Sequence, residues 1–464
     1  MRRLLFILSI LCSLFAAAQY NVSIYRNDST FNQIKLKEGE WLSHSEGEEG
    51  FFADFEDWIS GECSVPVSAI DSCVVRASDI PVLRLSFTDY PEAECLWEKE
   101  LYLEAILDIE GNGFTEDEDA LSLQVKGRGN STWGMPKKPM RLKFPKKISI
   151  CGFKKAKNYV LLNNYLDPTL MRNVLAMWLA KRLGVPYANT MVPCHVFING
   201  HYAGAYTLTE KVGINSGSVD IEETEGMLFE LSVEYDEKYK FRSEEWNLPV
   251  MVKDPDFDEL YEDEPEGLTP EERLALWQED FNHAEALVKE GRPEEAFDME
   301  SAVNYFMLYE FVKNSEIGYP KSFYIHKKSM GEEDKYYFGP AWDFDVAFNM
   351  LVLRDDAAAP ASPEGEIWVN ALIDEMKESK MFRKLYKEKR EIFQEEILPE
   401  MLDYLDNYAA LIEPSAKLNG LRWPESGFYG SWTAVEPSFD TKRHVDELRD
   451  WLIERAEYLR KRDL

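Results

Sequence analysis

Leu121, Leu123 and Val125 alternate with Ser122, Gln124 and Lys126, the two-residue period of a strand with one face in a core. Met140, Leu142 and Phe144 alternate with Arg141 and Lys143 in the same way. Further strands are expected at Val82–Leu85, Tyr102–Ile109 and Tyr159–Leu162. Asp167 can cap a helix whose first residue is Pro168, and Gly184 stops it after Leu183. Val196-Phe197-Ile198 and Ala205–Leu208 flank Asn199-Gly200, the preferred two-residue hairpin turn. After about residue 255 the period becomes helical. Thr269-Pro270-Glu271-Glu272 is a capping box that launches Leu274, Trp277, Phe281 and Leu287, with Gly291 ending the helix. More helices are expected over Met299–Lys313, within 370–412 and within 441–461, around an aromatic, hairpin-like stretch Tyr319–Phe348. Asp254–Glu272 and Ala357–Pro363 read as surface loops. The pattern predicts an α+β fold: strands first, helices after.

The ends and the composition narrow the setting. Arg2 and Arg3 precede the apolar run Leu4–Phe15, and Ala16-Ala17-Ala18 offers small residues before Gln19. This is the form of a signal peptide over residues 1–18, so a secreted product (periplasmic, cell surface or extracellular) is expected. The run is short for a membrane span, and no later segment is continuously apolar enough to be one. Residues 19–80, acidic and aromatic, form an N-terminal module of unknown role, followed by the main domain over 81–464. Five cysteines remain after residue 18 without a C-x-x-C pair, so neither a disulfide scaffold nor a zinc site is indicated. With 85 Asp and Glu against 52 Lys and Arg, the chain carries −33 and is a poor partner for nucleic acid.

One window inverts that balance. From Leu121 to Leu166 there is no Asp or Glu, yet 11 of the 52 bases lie there, a field suited to holding an anion. A β-rich part followed by a helical part, with glycines near the start and a lysine on the next strand, is the order found in kinases. Phosphoryl transfer asks for positioning and charge: a glycine turn near the phosphates, a base to pair with them, and carboxylates for Mg²⁺. Gly127, Arg128, Gly129, Asn130 and Ser131 form the candidate turn, and Lys143 the candidate phosphate base. Asp343 and Asp345, in Trp342-Asp343-Phe344-Asp345, are the candidate ligands for Mg²⁺ or Mn²⁺, which favour carboxylate oxygen. Asn314-Ser315-Glu316, ahead of Pro320-Lys321-Ser322, falls where a catalytic loop is expected. Asp108–Asp119 partly mimics a calcium loop but reads better as an acidic turn, and His195 and His201 as structural.

The stretches KGRGNSTWGMPKKPMRLKF, KNYVLLNNYLDPTLMRNVLA, VFINGHYAGAYTLTEKV and GPAWDFDVAF resemble, in order and spacing, the spore coat protein H (CotH) kinases. The resemblance spans roughly residues 80–460. It implies an atypical two-lobed kinase fold, with a nucleotide lobe over 81–212 and a mostly helical lobe over 213–464. It also implies transfer of phosphate from ATP to serine. By position, Lys143 resembles the nucleotide lysine, and Glu210 belongs to the connection where adenine binds. Asp343 and Asp345 resemble the metal carboxylates. Many members carry Asp where this chain has Glu316, the residue implied as catalytic base; another group shares the form seen here. The second reading is a kinase-shaped surface binding protein without catalysis. The acidic chain predicts protein substrates with basic, serine-containing segments.

Overall fold

Alternating side chains on seven strands close into a barrel in the computed structural model. The structure describes residues 80–348 (97 and 332 apart), 362–423, 426 and 441–462, and within 20–77 only strand segments. Residues 1–18, with the expected cleavage near Ala18-Gln19, lie outside the described residues. The early strands are β1 (Tyr20–Arg26), β2 (Phe31–Leu36), β3 (Leu42–Ser43), β4 (Gly50–Ala53), β5 (Val65–Pro66) and β6 (Ile70–Ala77). They form two three-stranded sheets, ordered β2-β1-β6 and β3-β4-β5.

The barrel comprises β7 (Val82–Phe87), β8 (Leu103–Glu110), β9 (Glu118–Gly127), β10 (Met140–Ile148), β11 (Ala156–Leu162), β12 (Val192–Ile198) and β13 (His201–Glu210). Its closed order is β10-β11-β13-β12-β7-β8-β9. Only β12 and β7 run parallel among these neighbours. Closure leaves no edge strand open to another chain. Leu123, Val125, Met140, Leu142, Phe144, Tyr159, Leu161 and Leu208 fill the interior. The alternate residues Lys126, Arg141 and Lys143 therefore face outward. Asn199 and Gly200 both have positive φ, as the two-residue turn requires.

A second antiparallel sheet contains β14 (Met227–Leu231), β15 (Lys240–Arg242), β16 (Pro249–Asp254), β17 (Phe323–Lys327) and β18 (Tyr337–Phe338), ordered β15-β16-β14-β17-β18. Around it lie the helices α1 (Arg172–Leu183), α2 (Phe257–Asp263), α3 (Pro270–Lys289), α4 (Met299–Val312), α5 (Ala371–Met376), α6 (Lys380–Ile392), α7 (Leu398–Arg422) and α8 (Thr441–Arg460). The capping box at Thr269 and Glu272 is formed as expected. Phe229 on β14 meets Trp277 and Phe281 of α3 edge-on at 6.0 and 5.9 Å, joining sheet to helices. Truncating Phe281, which is fully buried, would cost roughly 3–5 kcal/mol.

Two expectations change. Helix α1 starts at Arg172 rather than Pro168, because Asp167 stays outside it and accepts from the amides of Met171 (2.9 Å) and Arg172 (2.8 Å). Asp254–Glu272 is not one loop: Asp256 caps α2 within it. Asp108 and Asp117 accept from the backbone at Ala120 and Gly111, so that acidic turn is satisfied locally. Among the described residues, no helix is long and apolar enough to cross a membrane.

Candidate functional site

Four distant parts of the chain meet in a cavity of about 240 Å³: the β9–β10 loop, β14 with its following turn, the segment after α4, and Trp342–Val346. Asp343 and Asp345 line it together. Asp343 adopts a left-handed backbone (φ 65), a conformation that concentrates at functional sites. Asn314 Nδ2 donates to the Asp343 carbonyl (3.3 Å), and Ser322 Oγ donates to its carboxylate (3.4 Å). On α1, Asn173 donates its Nδ2 to Asp345 and accepts from Phe344 N (2.9 Å). One amide thus fixes both the backbone and the carboxylate of this segment.

The acids disturb one another. Burial, then the Asp343 charge, raises Asp345 to about 7. Burial and Asp343 also push Glu316 well above the ordinary carboxylate range. Glu316 sits on a turn of 3₁₀ helix, Ser315–Ile317, capped by Asn314, whose Oδ1 accepts from Glu316 N (3.0 Å). Burial opposes the Lys321 charge, but Glu316, Asp343 and Glu234 outweigh it and raise its pKa. Lys321 pairs with Glu234 at 3.3 Å, while Lys253 pairs with Glu230 and Glu237 at 2.8 and 2.9 Å.

Arg128 is the base that the β9–β10 loop delivers to these acids. It lies 5.7 Å from the Trp342 ring centre, and loss of solvent lowers its pKa against the pull of Asp343. Gly129, Asn130 and Ser131 also line the cavity, Gly129 with φ +82. Gly127 does not; it ends β9 beneath Trp133, where a Cβ would come within 2.4 Å of the ring. The loop is anchored by Lys137, which is fully buried and donates to the Ala205 carbonyl and to Asn419 Oδ1 (2.7 Å) on α7. Burial holds its pKa well below the ordinary lysine value. Asn163 Nδ2 donates to the Lys137 carbonyl (2.6 Å), completing the anchor.

Besides Gly127, two expected residues stand elsewhere. Lys143 is exposed on the outside of β10, near the Tyr102 ring, because Leu142 and Phe144 claim the interior. It lines a second cavity of about 640 Å³ with Arg141, Lys147, Lys157 and Lys211, opposite Asp254, Asp256 and Asp258. Lys253 and Glu237 border both cavities. Glu210 lines neither; it is buried at the end of β13 and accepts from Thr190 N at 3.1 Å. Sequence reasoning missed Asn173, Glu230, Lys253 and the anchor Lys137. Of these, Asn173 and Lys137 stand inside the quoted family-like stretches, and that position was their signal.

The donor set suits a hard divalent cation. Asp343 and Asp345 are oxygen donors whose mutual repulsion such an ion relieves, and Mg²⁺ typically takes one or two protein carboxylates together with substrate phosphates. No cluster of three or more His, Cys, Asp or Glu that could hold a metal occurs among the described residues. His195 bridges Tyr202 and Ser415 in the interior and is structural. No curated protein matches the chain. A family model described as CotH kinase protein matches residues 125–459, which include Arg128, Glu316, Asp343 and Asp345, and the chain therefore belongs to the CotH kinase family.

Proposed function

We propose that this cavity is the phosphotransfer site of a secreted atypical protein kinase that moves phosphate from ATP to serine residues of envelope or extracellular proteins. The observation that carries the reading is the meeting of Arg128, Glu316, Asp343 and Asp345 in one cavity. Asp343 and Asp345 would hold Mg²⁺ or Mn²⁺, which would supply positive charge to the triphosphate. Arg128 pairs with phosphate oxygens, and the backbone of Gly129–Ser131 lies alongside. The serine Oγ forms a bond to the γ-phosphorus as the bond to the ADP oxygen breaks, and the serine proton passes to Glu316. Glu316 releases its own proton more readily once the Asp343 charge is neutralised. Net charge −33 draws basic segments around the accepting serine.

The raised pKa of Glu316 also favours the second reading, a catalytically impaired kinase-like surface binding protein. Single-turnover transfer to a basic serine peptide, with saturating ATP and Mg²⁺, decides between them. Transfer that Glu316→Gln lowers about 10²–10⁴-fold is the expected result for a general base. Nucleotide binding without any transfer to peptide or to the protein itself would establish the second reading.

A further inference from the structure

Trp368 is 58% exposed, more than any other described large hydrophobic residue. It is nevertheless held in a rigid setting. Ile367 and Val369 on either side are buried, so the alternation of an extended segment turns only the indole outward. The segment leading to it is strapped down by buried or half-buried cations. Lys313 Nζ donates to the carbonyls of Ser362 (2.5 Å) and Glu364 (2.6 Å), and Arg455 donates to those of Pro363 (2.8 Å) and Gly365 (2.7 Å). On the far side, Asn370 Nδ2 donates to Ile317 O (2.8 Å).

That last bond ties the segment to the turn that carries Glu316. Gly318 lies against Trp368: a Cβ there would stand 2.6 Å from its carbonyl oxygen and 2.7 Å from Cε3 of the indole, so glycine lets the residue pack on the turn. Tyr319 adds a second ring, with centroids 6.3 Å apart and planes at 33°. The two rings form a platform beside the residue proposed to take the serine proton. Neither belongs to the cavity lining, so the nucleotide site does not account for them.

We infer that the Trp368–Tyr319 platform receives a cationic side chain, arginine or lysine, of the protein substrate, next to the accepting serine. The inference rests on the phosphotransfer reading and names the feature of the substrate that the site selects. An exposed indole face attracts a guanidinium or ammonium, and Glu364, exposed on the same segment, together with the chain's net charge of −33 excludes an acidic occupant. Such an interaction contributes about 0.5–2 kcal/mol, that is roughly 2–30-fold in affinity.

The test is equilibrium binding of two fluorescent serine peptides, one flanked by arginines and one with those arginines replaced by glutamine, to the full chain. Binding is read without transfer, so it stands even if the protein proves not to be a kinase. Trp368→Ala should weaken the arginine peptide about 5–20-fold, leave the glutamine peptide within twofold, and leave binding of a nonhydrolysable ATP analogue unchanged. Trp368→Phe should restore most of the loss. Thermal melts of both variants exclude misfolding, because an exposed ring contributes little to the core. Equal affinity of Trp368→Ala and the parent for the arginine peptide overturns the inference. An equal loss for both peptides also overturns it, since that would mark an unselective contact.

Discussion

The two cavities hold similar residues in opposite states. In the larger, Lys143, Lys147 and Lys157 stand exposed around an open gap, and Lys211 and Asp254 are shifted by loss of solvent, to about 8 and about 6. In the smaller, three carboxylates and an arginine are drawn out of solvent, and two of the acids are shifted strongly upward. In water, opposite charges 4 Å apart interact by about 1 kcal/mol, and the attraction grows severalfold as water leaves. Density of charge along the sequence therefore marks the larger cavity, whereas the strongest upward shifts of acids fall in the smaller one.

The largest expected effect is at Asp345. Asp345→Asn should reduce single-turnover transfer at least about 10³-fold, because it removes a ligand to the charge that stabilises the transition state. Retained transfer would end the assignment of the smaller cavity. Next comes the contrast between the bases. Arg128→Ala should weaken ATP binding about 10–100-fold, as expected for a charge-assisted pair worth roughly 1.5–3 kcal/mol. Lys143→Ala should cost at least tenfold less, measured by titration calorimetry. The reverse order would move the phosphate to the larger cavity.

Lys137→Met tests whether the loop depends on its buried anchor. Removing the buried donor from the Ala205 carbonyl and from Asn419 Oδ1, which keeps only the Ala205 N–H at 3.1 Å, should cost about 1–3 kcal/mol in denaturant unfolding. The smallest effect concerns pH. Asp345, raised from 3.8 to about 7, binds its proton more tightly when folded, so its contribution to stability falls as pH rises between those values. The melting temperature without metal should therefore decline across that range by a few degrees more than in Asp345→Asn. Mg²⁺ should restore it near neutrality and have little effect below about pH 6. A melting curve that rises with pH in parent and variant alike would break this link.

What was legible in the sequence was local. The capping box at Thr269, the Asn199-Gly200 turn and the alternation at Leu121–Lys126 each depend on residues a few positions apart, and each formed. The motif carrying Asp343 and Asp345 was legible because both acids stand in one short stretch. Partners set by long-range pairing were not. Asn173 reaches Phe344 across 171 positions, and no period in the chain announces that contact. The position of Lys143 was hidden for a related reason: alternation tells which residues share a face, but only barrel closure tells which cavity that face borders. Arg128 lies in the loop beyond the alternating strand, where the period gives no direction. Of the second sheet only the β17–β18 hairpin, within Tyr319–Phe348, was legible; β14 went unseen because it is short and buried on both faces, without alternation.

The anchor between Lys137 and Asn419 spans 282 positions. A growing chain makes the β9–β10 loop early but has nothing to fasten it to until helix α7 exists. At roughly 5–20 residues per second, that delay is about 15–60 s. During synthesis the β9–β10 loop thus stays unfastened until the last tenth of the chain supplies its partner.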